Sequence, residues 1–266
     1  MHEGVARGMA GAAGAAAVMS AETTHFGFEE VPAGEKQARV GAVFESVAER
    51  YDVMNDLMSL GLHRGWKRFA AHIARVRPGA RVLDLAGGTG DLTARLAPAV
   101  GEGGSVVLAD ISRPMLERGR MRLIDSGIAG NVHYAECSAE HLPFPDRSFD
   151  RVLIGFGLRN VTNQDRALAE MWRVLRPAGM LLVLEFSQLT VPALQRAYDA
   201  WSFAVLPALG RLVAGDADSY RYLAESIRRH PDQEMLLAAM REAGFERCGF
   251  HNLACGIVAV HKGYRL

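Results

Sequence analysis

The chain has 266 residues, 49% of them hydrophobic, and its 30 Lys plus Arg balance its 30 Asp plus Glu. That length and apolar content suit one sizeable α/β core with a helical addition, and the lack of a basic excess argues against a nucleic-acid partner. The three cysteines, Cys137, Cys248 and Cys255, are odd in number and show no CxxC spacing, which argues against a disulfide framework and against a metal site, and fits a reducing cytosol.

Residues 1–22 are dominated by glycine and alanine and carry Glu3 with only Arg7 as a basic residue near the start, which reads as a disordered low-complexity tail and not as a signal peptide. Met19 is a more ordinary start, which raises a misplaced translation start as the origin of residues 1–18. Residues 23–266 are expected to form one domain. Within 36–76, Val40, Val43, Val47, Tyr51, Met54 and Leu57 recur every three or four residues, the period of an amphipathic helix, and a second helix follows around Trp66. From 78 to 188 short apolar runs alternate with helical segments, from RVLDLA through SVVLAD and FDRVLIGF to GMLLVLEF. Such βα alternation predicts a doubly wound, parallel α/β sheet with helices on both faces. Residues from about 190 to 243 read as a helical lid, and two strands near 247–253 and 256–261, within 245–262, close the chain. The most apolar stretch, AWSFAVLPALG at 200–210, is broken by Ser202, Pro207 and Gly210, short of the roughly 18 apolar residues a membrane span requires, so a cytoplasmic protein is expected.

VLDLAGGTGD, at 82–91, ends a predicted buried strand in three glycines, where backbone must turn sharply and let a ligand approach. A P-loop would need a lysine, and none occurs between Lys67 and Lys262. A dinucleotide fingerprint would place glycine or alanine where Thr93 stands, which leaves NAD a weaker fit. S-adenosylmethionine has no pyrophosphate; it needs close backbone approach, here at Gly87, Gly88 and Gly90, and a carboxylate for its ribose hydroxyls. Asp110 ends the second strand where that acceptor belongs, although a helix N-cap is its plainer alternative. Asp84 is either a ligand contact or a buried acid bonding nearby loop amides. After the third strand, Ser138 and Ala139 stand where an adenine edge would lie, and Glu140 reads equally as a solvated charge at a helix start.

VLDLAGGTGDLT, VVLADIS, HLPFPDRSFD, FGLRNV and LRPAGMLLVLEFS resemble the class I methyltransferase motifs in the form used by the C-methyltransferases of ubiquinone and menaquinone biosynthesis. YDVMNDLMSLGLHRGWKRF before the sheet, and DADSYRYLAESIRRHPDQ with AGFERCGFHNL after it, resemble that family and not methyltransferases in general, so the likeness runs from Thr23 to Leu266. The resemblance implies a Rossmann-like, mostly parallel seven-stranded sheet and methyl transfer from S-adenosylmethionine to a ring carbon of a polyprenylated benzoquinol, of demethylmenaquinol, or of both. It carries over Thr89, Asp110, Ser138 and Ala139 as cofactor contacts. Gly155 departs from it, standing where close bacterial relatives often have serine, so only backbone contact is expected there. The rival readings are an N- or O-methyltransferase sharing only the cofactor half, and a prenyl-lipid-binding scaffold without turnover.

A ring carbon becomes nucleophilic when a phenolic proton leaves, so the substrate must be the reduced quinol and the site must hold a phenolate. FGLRNV follows the fourth strand at its carboxyl end and offers Arg159 for the oxyanion and Asn160 for ring orientation; pinning the loop and capping a helix are the structural alternatives. Arg159 as a literal base is chemically awkward, because a guanidinium loses its proton only above about pH 12, which leaves a polarised water, a carboxylate or a histidine. Tyr51 is a candidate phenol at the pocket mouth, though its spacing also suits a buried stripe. His63 reads as structural, and Tyr198, Asp199, Tyr220 and Tyr222 are unranked candidates on the lid. WSFAVLPALG with Leu212 and Val213 offers an apolar wall for a prenyl tail, and with it peripheral contact at the inner face of the membrane. A homodimer, or association with other quinone-biosynthesis enzymes, is compatible with the resemblance.

Overall fold

The computed structural model describes residues 23–47, 55–56, 58–214 and 216–266. The readings of the first 22 residues and of Tyr51, Met54 and Leu57 fall outside the described residues.

A hairpin of β1 (Thr23–Phe26) and β2 (Glu29–Pro32) leads into α1 (Ala33–Val47). The periodicity argument had not anticipated this hairpin, because TTHF and EEVP are short, polar and mostly exposed. After α2 (His63–Ala74) come β3 (Arg81–Leu85), α3 (Thr93–Val100), β4 (Ser105–Asp110), α4 (Arg113–Asp125), β5 (Val132–Glu136), β6 (Phe149–Gly155), α5 (Gln164–Val174) and β7 (Leu175–Phe186). Then follow α6 (Gln195–Ala200), α7 (Leu206–Ala214), α8 (Ala217–Arg229), α9 (Gln233–Glu242), β8 (Glu246–Leu253) and β9 (Val258–Arg265).

The seven main strands form one sheet in the order β5-β4-β3-β6-β7-β9-β8. All pairings are parallel except those of β9, which runs antiparallel to both β7 and β8. Strand alternation divides the core. Val82, Val106, Leu108, Leu153 and Leu182 face a layer containing α2, α3, α4 and α8. Their neighbours Leu83, Val152, Ile154, Leu181 and Val183 face α5 and α9. Both faces are therefore covered, which is why these strands read as continuous apolar runs. The chain winds outward from β3 in one direction through β4 and β5, and in the other through β6 and β7. The switch point between β3 and β6 opens a crevice at the strands' carboxyl ends, where ligands bind in such sheets.

Leu175, Arg176 and Pro177 begin β7 and do not extend the preceding helix. Between α6 and α7, residues Trp201–Val205 wind as a π-helix. Pro207 has no N–H to bond the carbonyl of Phe203, so the helix widens where an α-helical bond is unobtainable. Among the described residues, no helix is long and apolar enough to cross a membrane.

Candidate active site

The turn after β3 is shaped by what lies beneath it. Ala86 leaves the strand at φ +50°, Gly88 sits at φ +55°, and the Gly87 N–H donates to the Ala109 carbonyl of β4. A Cβ on Gly87 would stand 2.2 Å from Leu108 Cδ1, so only glycine lets the turn lie flat on the sheet. Asp84 supports the turn from below. Its Oδ2 accepts the Thr93 N–H (2.9 Å) and the Thr93 hydroxyl (2.6 Å), while Oδ1 is buried without a partner. Burial pushes its carboxyl up to about 6, against the two Thr93 bonds that oppose the shift. The folded state therefore holds this proton more tightly than the unfolded chain, whose value is 3.8. That stabilisation is complete below the unfolded value and is lost as pH climbs through about 6. Denaturant unfolding between pH 4 and pH 7 should show Asp84 withdrawing about 2 kcal/mol as pH rises. Asp84→Asn should flatten that part of the profile; an unchanged profile would assign the proton elsewhere.

Asp110 closes β4 at the edge of the crevice. Its Oδ2 accepts from the Gly88 N–H and its Oδ1 from the Ser112 N–H, both at 2.9 Å, leaving each oxygen a further lone pair. Burial raises its pKa, and the backbone donors of Ser112, Gly88 and Ile111 oppose that rise. About 870 Å³ of space, solvent at the open mouth included, lies in the crevice. Gly88, Asp110, Ser138, Ala139, Gly155 and Asn160 all line it, so the structure gathers six of the candidate residues around one space. Ile111 and Met115 add apolar surface beside Asp110, and Phe44 of α1 with Phe156 borders the other side. Cys137 also lines it, but burial pushes its thiol up to about 11, which keeps it protonated and inert.

Four other candidates shape the loop without lining the crevice. Asp84 and Gly87 lie under the turn, Gly90 packs on Leu123, and the Thr89 hydroxyl faces Arg122 at 3.4 Å. Glu140 also lines the crevice beside Ser138 and Ala139, and its Oε1 accepts the N–H groups of Thr162 and Asn163. Lys36 of α1 donates to the Val161 carbonyl, so the loop after Asn160 is clamped from two sides.

Arg159 occupies a different environment from the one its motif suggested. Its side chain is 4% exposed, does not line the crevice, and pairs with Glu185 of β7 through Nη1 and Oε1 at 2.8 Å. Nη1 also donates to the Phe156 carbonyl, the guanidinium lies over the Phe186 ring, and Nε is left without a partner. The acid that pins the loop is real, and the Nε–H is left for another oxygen. Asn160 does not cap a helix: Asn163 caps α5, and Asn160 Oδ1 accepts from the Tyr222 hydroxyl at 2.9 Å. Tyr222 in turn stacks on Phe26 of the hairpin at 4.2 Å, and burial pushes its phenol up to about 12, so it remains a donor. Of the other lid candidates, Asp199 pairs with Arg228 and Tyr220 is buried in the core.

An ion pair and a histidine–carboxylate hydrogen bond escaped the sequence because their partners are not helical neighbours. Lys67 Nζ meets Asp91 Oδ2 at 2.7 Å, tying α2 to the glycine turn, and His63 Nε2 lies 2.9 Å from Asp56 Oδ1. Burial opposes Asp91's charge, but Lys67 and Arg122 hold its carboxyl below the ordinary value.

A glycine turn after the central strand, an acid ending the next, and a sheet whose last strand in chain order runs antiparallel define the fold of the class I S-adenosylmethionine-dependent methyltransferases. Solved structures agree on that fold. A Thermotoga maritima S-adenosylmethionine-dependent methyltransferase is 21% identical, with a TM-score of 0.60 over 85% of this chain and 99% of its own. The [4+2]-cyclase SpnF reaches 0.63 at 17% identity over 86% and 96%. The cyclase shares the fold under a different reaction name, so the fold alone does not give the chemistry. The ubiE/COQ5 methyltransferase family matches residues 33–265, and the chain belongs to it. The ubiquinone/menaquinone biosynthesis C-methyltransferase UbiE of Methylococcus capsulatus is 62% identical over 93% of this chain and 100% of its own. The UbiE of Escherichia coli O139:H28 is 60% identical over 92% and 98%.

Proposed function

We infer that this enzyme transfers the methyl group of S-adenosylmethionine to a ring carbon of a polyprenylated benzoquinol, of demethylmenaquinol, or of both, in quinone biosynthesis. The observation that carries the reading is the reach of the likeness. Relatives named for this reaction align over 92–93% of the chain, including α1, α2 and the helices after β7, well beyond the cofactor half.

The crevice suits the cofactor. Asp110 has two lone pairs free for the ribose hydroxyls, Gly88 brings backbone close, and Ile111, Met115 and Ala139 offer apolar surface for a base, with Ser138 at its edge. When bound, S-adenosylmethionine supplies an electrophilic methyl group on a sulfonium that leaves as a neutral thioether. The protein's remaining tasks are to align the ring carbon with that methyl and to hold the phenolate that activates it. Arg159, fixed by Glu185, offers its unpartnered Nε to that oxyanion, and Asn160, fixed by Tyr222, orients the ring. Tyr51 remains a proposed phenol at the mouth. Phe203, Val205 and Leu212 expose apolar surface on the lid, with Leu212 83% exposed, and we assign them to the prenyl tail and the membrane surface that carries it. The reading places the enzyme in the cytoplasm and at that membrane's inner face, as a homodimer or beside other enzymes of the pathway.

The test is transfer of labelled methyl to short-tailed 2-methoxy-6-polyprenyl-1,4-benzoquinol and demethylmenaquinol. Transfer should require a reductant that keeps the ring as the quinol, and should quicken when the substrate is presented in vesicles. Transfer to the oxidised quinone at the same rate would contradict the phenolate mechanism.

A further inference from the structure

The proton that must leave the quinol needs an acceptor, and the described residues offer few. Asp84 is sealed beneath the glycine turn, Lys67 is paired with Asp91, and Cys137 holds its own proton. His230 is buried with both ring nitrogens unpartnered, but burial pushes it down to about 4, too low for a competent base, and no carboxylate is bonded to it. One histidine is placed differently.

His63 begins α2, and its ring lines a narrow cavity together with Phe44, Phe156, Arg159 and Phe186. Phe44 and Phe156 also border the cofactor crevice, so the two spaces share a wall. The His63 side chain is 6% exposed, and Nε2 lies 2.9 Å from Asp56 Oδ1. Nδ1 is buried and has no partner. With Nε2–H donating to the carboxylate, the lone pair falls on Nδ1, in the tautomer a base requires, and Asp56 is in place to stabilise the imidazolium. The main-chain N–H of His63 is fixed by the Ser59 hydroxyl at 3.2 Å.

We propose that His63, oriented by Asp56, is the catalytic base that takes the phenolic proton on Nδ1 while Arg159, in the same cavity, holds the oxyanion. The assignment rests on the quinol reading above. The O–H bonding pair stays on oxygen and spreads to the neighbouring ring carbon. That carbon forms the new C–C bond to the methyl as the C–S bond breaks with its pair on sulfur; the ring C–H then gives its proton to water, its bonding pair restoring aromaticity, and the phenolate oxygen recovers a proton from the imidazolium. Asp56 is partly exposed and so gives the imidazolium proton a neighbour open to water. Burial, Lys67 and Arg64 keep the imidazole below its ordinary pKa, Asp91 and Asp56 oppose them, and Arg159 faces it across the cavity. The ring is consequently neutral at neutral pH and free to accept.

The discriminating experiment compares wild type with His63→Gln on a series of short-tailed quinols of graded phenolic acidity, with calorimetry of S-adenosylhomocysteine as a control. The variant should bind that product within about threefold of wild type yet lose about 10²–10⁴-fold in kcat on the parent quinol. The loss should shrink at least about tenfold on the most electron-poor quinol, which ionises without help. A loss independent of phenolic acidity, or an undiminished rate, overturns the assignment. Should the variant fail to fold, the wild-type His63 imidazole resonance decides: it should move on adding a short-tailed quinol, and Asp56→Asn should shift its titration. An unmoved resonance overturns the proposal. A wild-type enzyme inactive on every quinol would instead sink the proposed function and this assignment with it.

Discussion

Asp110→Ala should weaken binding of S-adenosylmethionine and of S-adenosylhomocysteine by about 10²–10⁴-fold, read by calorimetry. The carboxylate accepts from the Gly88 and Ser112 N–H groups and still presents charged acceptor oxygens to the crevice it lines. Hydrogen bonds to a charged acceptor contribute about 1.5–3 kcal/mol each, and two ribose hydroxyls double that. The substitution also releases the Gly88 donor that holds the turn against β4 and the Ser112 donor just past that strand, so the cost falls on affinity and on loop order together. Asp110→Asn keeps the size but replaces one acceptor by a donor, and should fall between. An alanine variant that binds as tightly as wild type would move the ribose grip elsewhere.

Arg159→Ala should have two separable effects. Removing one member of a buried pair leaves Glu185, 1% exposed, charged and uncompensated, at a cost of about 3–5 kcal/mol in unfolding free energy. Turnover should fall by about 10²–10³-fold, the usual loss when an oxyanion donor is removed. Combining Arg159→Met with Glu185→Leu should restore part of the stability, because an apolar pair needs no desolvated charge, while the Arg159 and Phe186 N–H groups lose their Glu185 acceptor. It should not restore turnover, and product affinity should stay near wild type. If the double variant recovers activity along with stability, Arg159 is a loop pin alone.

Much of the fold was legible because it depends on local pattern. β3 and β6, buried on both faces, announce themselves as apolar runs, and Asp110 is conspicuous as the acid that ends one. Gly87 and Gly90 were equally visible, but a glycine turn does not say which of its residues face the ligand and which face the sheet. Only the Leu108 and Leu123 contacts decide that. The sequence could not reveal the partners of Arg159, His63 and Lys67. Glu185 lies 26 residues from Arg159, and Asp91 lies 24 from Lys67, so only the assembled sheet brings them together. Seven residues separate Asp56 from His63, near in sequence, but they meet through the turn at Leu60 and Gly61, both at positive φ, and not along one helix face. The hairpin was missed for the opposite reason: its strands carry little apolar signal, and Phe26 matters chiefly through its stacking on Tyr222.

The central claim is that the methyl group ends on carbon. Carbon-13-labelled S-adenosylmethionine, incubated with the enzyme and a reduced short-tailed quinol, should give a product whose labelled methyl is bonded to a ring carbon in the NMR spectrum. A labelled methyl on oxygen would contradict the account.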